Sequence, residues 1–297
     1  MEATGTPREF ADELWLALGF PLAGEEQADA ALYSELDAEA LRSLNGLLSL
    51  DLVKRDTLMA MTRVMGQTMA RLASAQVQMF DEELRTIVTE DAQVDDDIRA
   101  AVTELLVPGV ERFVAYCFRR HLLAAMDRAL DGAQDQPVIG FVDIVNFTRT
   151  TRRLEGEALA DIVSRFDRHV YETVTNSGAR LRKQLGDGVM FDAPDAVTAA
   201  RAALALVLRC AEDPILGGAR GGLAIGPTLE MEGDVYGETV NRASRLAGLA
   251  YPNTVVADHT LGESMLGVPG FDLKPLGRRW IRGLGRVDVT VIRPSMA

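Results

Sequence analysis

Ala179-Arg-Leu-Arg-Lys-Gln-Leu-Gly-Asp-Gly-Val-Met-Phe-Asp-Ala193 is the stretch whose reading decides the fold. Residues 179–185 and 189–193 read as two strands, and Gly186, Asp187 and Gly188 between them form a short turn, so the segment is a hairpin. Working outward toward the N-terminus, an apolar strand at 138–145 leads through Asn146 and Thr148 into a helix. Its apolar series is Leu159, Ile162, Val163, Phe166, Val170 and Val174, and it ends at Asn176 and Gly178. Toward the C-terminus come an Ala-rich helix at 194–211, a strand at 222–226, a polar connection, a helix from about 237 to 250, and strands near 254–257 and 287–292. Strand, helix, strand, strand, helix, strand is the order of a ferredoxin-like α+β sheet.

The N-terminal half has a different texture. From Leu52 to Phe80 apolar residues recur mostly at three- and four-residue steps, the spacing of one helix face. The Met59, Met61, Met65 and Met69 stripe within it reads as core packing. The acidic run Glu90, Asp91, Asp95, Asp96 and Asp97 reads as a loop and the start of the next helix. Pro108 is placed near a helix start, and Val110, Phe113, Val114, Cys117, Leu122, Ala125 and Met126 mark the apolar side of a long helix to about Leu130. Asp131, Gly132, Asp135 and Pro137 then break the pattern. The expected division is an all-α domain at 1–106, a connecting helix and linker at 107–134, and the α+β domain at 135–297.

With 297 residues the chain has room for two domains. Its 47% hydrophobic and 25% charged content is that of a folding globular protein. A net charge of −13 argues against nucleic acid as a partner, and Glu9, Asp12 and Glu13 leave the first helices without a basic recognition surface. Two widely separated cysteines, Cys117 and Cys210, read as reduced, buried thiols. No stretch approaches the roughly 20 apolar residues of a membrane span, and no leader pattern opens the chain, so the expected location is cytoplasmic.

Two carboxylates stand where a metal site would want them: Asp143 at the end of the first strand and Asp187 at the hairpin tip. Hard oxygen ligands on strand ends suit Mg²⁺ or Mn²⁺ held together with substrate phosphates; an Asp between two glycines is also an ordinary turn residue. The helix that follows Asp143 offers free N–H groups to phosphate oxygens. Lys183 lies four residues before Asp187, and Asp234-Val-Tyr-Gly-Glu-Thr-Val-Asn-Arg-Ala-Ser-Arg245 comes later.

Together, Phe-x-Asp-Ile-x-x-Phe-Thr from Phe141, Lys-x-x-Gly-Asp-Gly from Lys183 and Asp-x-x-Gly-x-x-Val-Asn-x-Ala-x-Arg from Asp234 resemble the three signature segments of class III adenylyl and guanylyl cyclases, in their usual order. The resemblance covers roughly residues 138–250. It implies an enzyme making 3′,5′-cyclic AMP and pyrophosphate from ATP, with two Mg²⁺ or Mn²⁺ ions held by Asp143, Asp187 and the backbone carbonyl of Ile144. It also implies substrate contacts from Phe147 and Thr148, ribose orientation by Asn241, and charge neutralisation at the reacting phosphate by Arg245. One helical turn separates Asn241 from Arg245, so both can reach one ligand. Lys183 as donor and Asp234 as acceptor complement adenine, whereas guanine-selective relatives generally carry Glu and a small residue there.

In the family the metal pair and the base-reading group come from opposite subunits, which implies a homodimer with two interfacial sites. The chain departs from the pattern near its final strands, where Arg282-Gly-Leu-Gly-Arg286 stands in place of a segment with a phosphate-contacting Lys. Arg282 and Arg286 both remain open for that role. The segment from Glu9 to about Ala133 is similar to the later part of a helical regulatory domain found before some actinobacterial cyclases. Within it His121 is the candidate for a pH switch, beside the plainer reading of a satisfied histidine. A guanylyl cyclase and a noncatalytic nucleotide-binding module are the alternatives.

Overall fold

The computed structural model describes residues 7–22, 34–50, 53–87, 96–130, 136–147 and 156–295. It divides into two compact units, Met1–Asp127 and Arg128–Ala297.

The first unit is helical: α1 (Arg8–Leu18), α2 (Glu35–Ser49), α3 (Arg55–Ile87) and α4 (Asp96–Leu130), which runs past the division. Gly19 ends α1 in the left-handed conformation that lets its N–H return to the helix. Ser34 and Asp37 open α2 with a reciprocal capping box. Phe10, Ala11, Leu14, Leu41, Leu58 and Met59 form its core. Of the methionine stripe, Met59 belongs to this core, whereas Met61, Met65 and Met69 are exposed. Pro108 does not start a helix but lies inside α4; Glu90, Asp91 and Asp95 of the acidic run lie outside the described residues.

The second unit contains a seven-stranded sheet in the order β2-β3-β1-β4-β7-β9-β8. Its strands are β1 (Val138–Ile144), β2 (Arg180–Gln184), β3 (Gly188–Ala193), β4 (Ala219–Ile225), β7 (Val255–Asp258), β8 (Phe271–Ile281) and β9 (Gly285–Pro294). β5 (Leu229–Met231) and β6 (Asp234–Tyr236) form a separate small hairpin. The helices are α5 (Gly156–Asn176), α6 (Ala196–Glu212), α7 (Glu238–Leu249) and α8 (His259–Ser264). The four strands β2-β3-β1-β4 with α5 and α6 are the expected ferredoxin-like unit, every neighbouring pair antiparallel.

Side-chain alternation divides the sheet into two buried faces. Val138, Val142, Val189, Phe191 and Leu223 pack with α5 and α6 residues such as Phe166 and Leu206. Ile139, Phe141, Met190 and Ala224 pack with α7 residues Ala243, Leu246 and Ala247. Gly222 brings α7 close: a Cβ there would fall 2.1 Å from Ala247 N and 2.3 Å from Ala243 O. An ion pair then ties α7 down, with Arg242 Nη1 3.1 Å from Oδ2 of the buried Asp258, whose Oδ1 caps α8 at Leu261.

β8 falls outside the predicted strands because Pro275 and its exposed charges disguise it. At a sheet edge a missing N–H costs no ladder bond. Cys210 is buried and burial pushes its thiol up to about 12, whereas Cys117 is only half-buried. Among the described residues no helix is long and apolar enough to cross a membrane.

Candidate active site

The β1–β3 register pairs Asp143 with Gly188, and the β1–β4 register pairs it with Arg220. Asp143 therefore stands at the end of a central strand on the α7 face, with the hairpin tip beside it. The tip is tied to β1 through the Ile144 N–H, which donates to the Asp187 carbonyl at 2.8 Å. Gly186 makes the turn with φ 81°, a conformation that favours glycine. Gly188 leaves room for the carboxylate: a Cβ there would fall 2.4 Å from Asp143 Oδ1.

Burial, and then the neighbouring Asp187, raise the proton affinity of Asp143 above the ordinary carboxylate range, while Arg220 opposes them. A half-buried carboxylate beside a second one, with insufficient positive charge nearby, is the electrostatic setting that a divalent cation relieves. The donor set therefore fits a hard cation. No group of three or more His, Cys, Asp or Glu residues able to hold a metal occurs among the described residues. Asp143 and Asp187 would supply two anchoring oxygens and leave positions for water and phosphate, as Mg²⁺ prefers.

Lys183 and Asp234 lie 51 positions apart, and the fold brings Lys183 Nζ to 2.5 Å from Asp234 Oδ2. Burial works to raise the Asp234 carboxyl. The Lys183 ammonium, the Val235 N–H at 2.8 Å and Tyr236 outweigh it and hold the carboxyl below its ordinary value. A matched donor and acceptor are thus presented side by side and partly exposed.

Asn241 and Arg245 sit one turn apart on α7, both exposed. The Arg245 guanidinium lies against the β8–β9 turn, where a Cβ on Gly283 would be 3.5 Å from Nη2. That turn carries Arg282, and Arg286 follows as the second residue of β9, opposite Trp280.

Phe147 packs half-buried on the α5 and α6 core, just after Asn146, whose φ is 59°. Thr148 lies outside the described residues. His121 is exposed on α4 of the first unit. Sequence reasoning missed Arg220 and the space-making role of Gly188, because both depend on which strands become neighbours of β1. The Gly-rich run from Gly217 to Gly222 was the only signal available.

No protein-family model matches the chain. Curated relatives do. It is 34% identical to an adenylate cyclase of Streptomyces coelicolor, over 96% of this chain and 82% of that protein. It is 36% identical to an adenylate cyclase of Streptomyces griseus, over 88% of this chain and 66% of that protein. An adenylate cyclase of Glutamicibacter nicotianae is 29% identical over 96% of this chain and 75% of its own length.

Proposed function

The chain belongs to the class III adenylate cyclase family, and from that membership we propose that it converts ATP to 3′,5′-cyclic AMP and pyrophosphate. The observation that carries the choice of ATP is the Lys183–Asp234 pair. Lys183 donates to a ring-nitrogen acceptor of adenine, and Asp234 accepts from the exocyclic amino group. Guanine would set its O6 acceptor and N1 and N2 donors against the same two groups in the wrong order, which leaves polar atoms unpaired. The base must open the existing ion pair, and it can do so because both side chains are partly exposed and the pair is cheaply exchanged for new contacts.

The reaction joins the ribose 3′-oxygen to the α-phosphorus and breaks the bond from that phosphorus to the β-phosphate bridging oxygen. Pyrophosphate leaves, and the 3′-hydroxyl gives up its proton. Attack within one molecule makes positioning and electrostatics the main contributions of the protein. Asp143 and Asp187, with the Ile144 carbonyl, would hold Mg²⁺ or Mn²⁺. When bound, two such ions lower the pKa of the 3′-hydroxyl and neutralise charge on the leaving group. Asn241 orients the ribose, and Arg245, beside the β8–β9 turn that carries Arg282, offsets negative charge at the phosphates.

In this reading Asp143 and Asp187 of one protomer face Lys183, Asp234, Asn241 and Arg245 of another, so the working form is a homodimer with two equivalent sites. The first unit sets the level of activity through the dimer. Purified protein with Mn²⁺ or Mg²⁺ should release cyclic AMP and pyrophosphate from ATP, with GTP a poor substrate, and Asp143→Ala or Asp187→Ala should abolish turnover. Mixing inactive Asp143→Ala and Arg245→Ala proteins should restore activity, because each mixed dimer regains one intact site. Tight ATP binding without product would instead indicate a noncatalytic nucleotide-binding module.

A further inference from the structure

The pairing of β2 with β3 carries an irregularity next to Lys183. Arg180 pairs with Asp192 and Leu181 with Phe191, but the next pairs are Lys183 with Met190 and Gln184 with Val189. Arg182 is therefore an extra residue, a β-bulge, opposed by none of its own. The bulge changes which way the strand's side chains point. Leu181 packs with Phe191 on the α5 and α6 face, and Gln184 Nε2 donates to Asp167 of α5 at 2.8 Å. Uninterrupted alternation from Leu181 would send Lys183 to that face as well, away from Asp234, since a slip of one residue exchanges the two faces of a strand. With the bulge, Lys183 shares the α7 face with its pairing partner Met190 and meets Asp234.

The bulged residue is clamped. Arg182 Nε and Nη2 lie 2.8 and 3.1 Å from the two oxygens of Asp192, and its side chain is only 8% exposed. Arg180 holds the same carboxylate in the same two-pronged way, at 3.0 and 2.8 Å. Both guanidinium groups also reach Glu230 on β5. β5 pairs with β6, Met231 opposite Asp234. One network of two arginines and two carboxylates thus fixes the strand that bears Lys183 and the hairpin that bears Asp234.

We propose that Arg182 is a positioning residue for substrate choice: its clamp on Asp192 and Glu230 holds the bulge that turns Lys183 toward Asp234. This rests on reading Lys183 and Asp234 as the pair that reads the base. A buried ion pair such as Arg182 with Asp192 adds little net stability over apolar packing, and its best-attested use is to fix register.

The test compares kcat/KM for ATP and for GTP in the full chain with Mn²⁺. In Arg182→Ala the extra residue remains but loses its hold, so β2 relaxes toward regular pairing and Lys183 turns away; the ATP-to-GTP ratio should fall by about tenfold or more. Deleting residue 182 outright leaves Leu181 opposite Phe191 and Lys183 opposite Met190 in an unbroken ladder, so the ratio should recover to within about threefold of the parent. Glu230→Gln, a near-isosteric change on an exposed side chain, should shift the ratio the same way by a smaller factor.

The proposal is overturned if Arg182→Ala keeps the parent ratio. It is also overturned if ATP and GTP turnover fall in parallel with thermal stability, or if the deletion is as impaired as the alanine variant. Lys183→Ala separates the two levels: an unchanged ratio there refutes the base-reading assignment itself, whereas a collapsed ratio with an unaffected Arg182→Ala refutes only the role of the bulge.

Discussion

Gly188→Ala should disable the enzyme without unfolding it. The added methyl would begin 2.4 Å from Asp143 Oδ1, with Asp143 Cγ and the Val142 carbonyl oxygen each at 3.4 Å. A carbon and an oxygen settle near 3.4 Å, so the carboxylate must retreat by about 1 Å. The backbone can stay in place, because the group that yields is the free end of a side chain and Gly188 is not in the left-handed region. Stability should therefore stay within about 0.5 kcal/mol, since alanine in a strand also recovers some of glycine's entropic penalty. Activity has no such tolerance. A misplacement of about 1 Å at a group that organises the reacting centre costs roughly a hundredfold, or about 2.7 kcal/mol in the barrier. The assay is initial-rate cyclic AMP formation over a Mn²⁺ titration, alongside thermal melting. A melting temperature near the parent's, a kcat/KM lower by about two decades and a weakened metal dependence are expected. Activity within threefold of the parent, with unchanged Mn²⁺ dependence, would refute the placement of Asp143 as a metal ligand.

Three further outcomes follow from the same geometry. Burial and Asp187 raise the folded-state pKa of Asp143 above its ordinary 3.8, so its contribution favours the fold below that value and is lost as pH rises through the folded value. Stabilisation by Mn²⁺ in a melting assay should accordingly grow as pH rises from the acid range toward neutrality, and Asp143→Asn should abolish this growth while making the metal-free protein no less stable. Gly222→Ala should lower the melting temperature and activity together, at a cost of about 1–3 kcal/mol, because its Cβ meets α7 backbone that cannot swing aside. Arg242→Met leaves Asp258 buried without its ion-pair partner and should cost about 3 kcal/mol, a fall of roughly 6–12 °C for a unit of this size, measurable by calorimetry.

Much of the second unit was legible from the chain alone. The turn at Gly186 to Gly188 defines its own hairpin, and the strands at 138–145 and 189–193 are apolar enough to be read as buried. Asp143 and Asp187 could be singled out because a strand end and a hairpin tip are local features. Asn241 and Arg245 could be placed on one face because helical spacing is local too. β8, by contrast, hides behind Pro275 and its arginines, whose tolerance depends on its being an edge strand. β5 and β6 are three residues each, too short to show a period.

What the sequence determined by itself was the set of groups: two carboxylates on a strand end and a hairpin tip, Lys183 and Asp234, and an asparagine and an arginine one turn apart. What only the tertiary structure decided was where these groups point. Strand alternation read outward from Leu181 aims Lys183 at the α5 and α6 face, whereas the observed register sets it opposite Met190 on the α7 face. Gly188, Gly222 and Arg220 likewise acquire their roles from neighbours across the sheet. Propensity and period act over a few residues along the chain, whereas side-chain direction in a sheet is settled by register between strands, which is a long-range property of the fold.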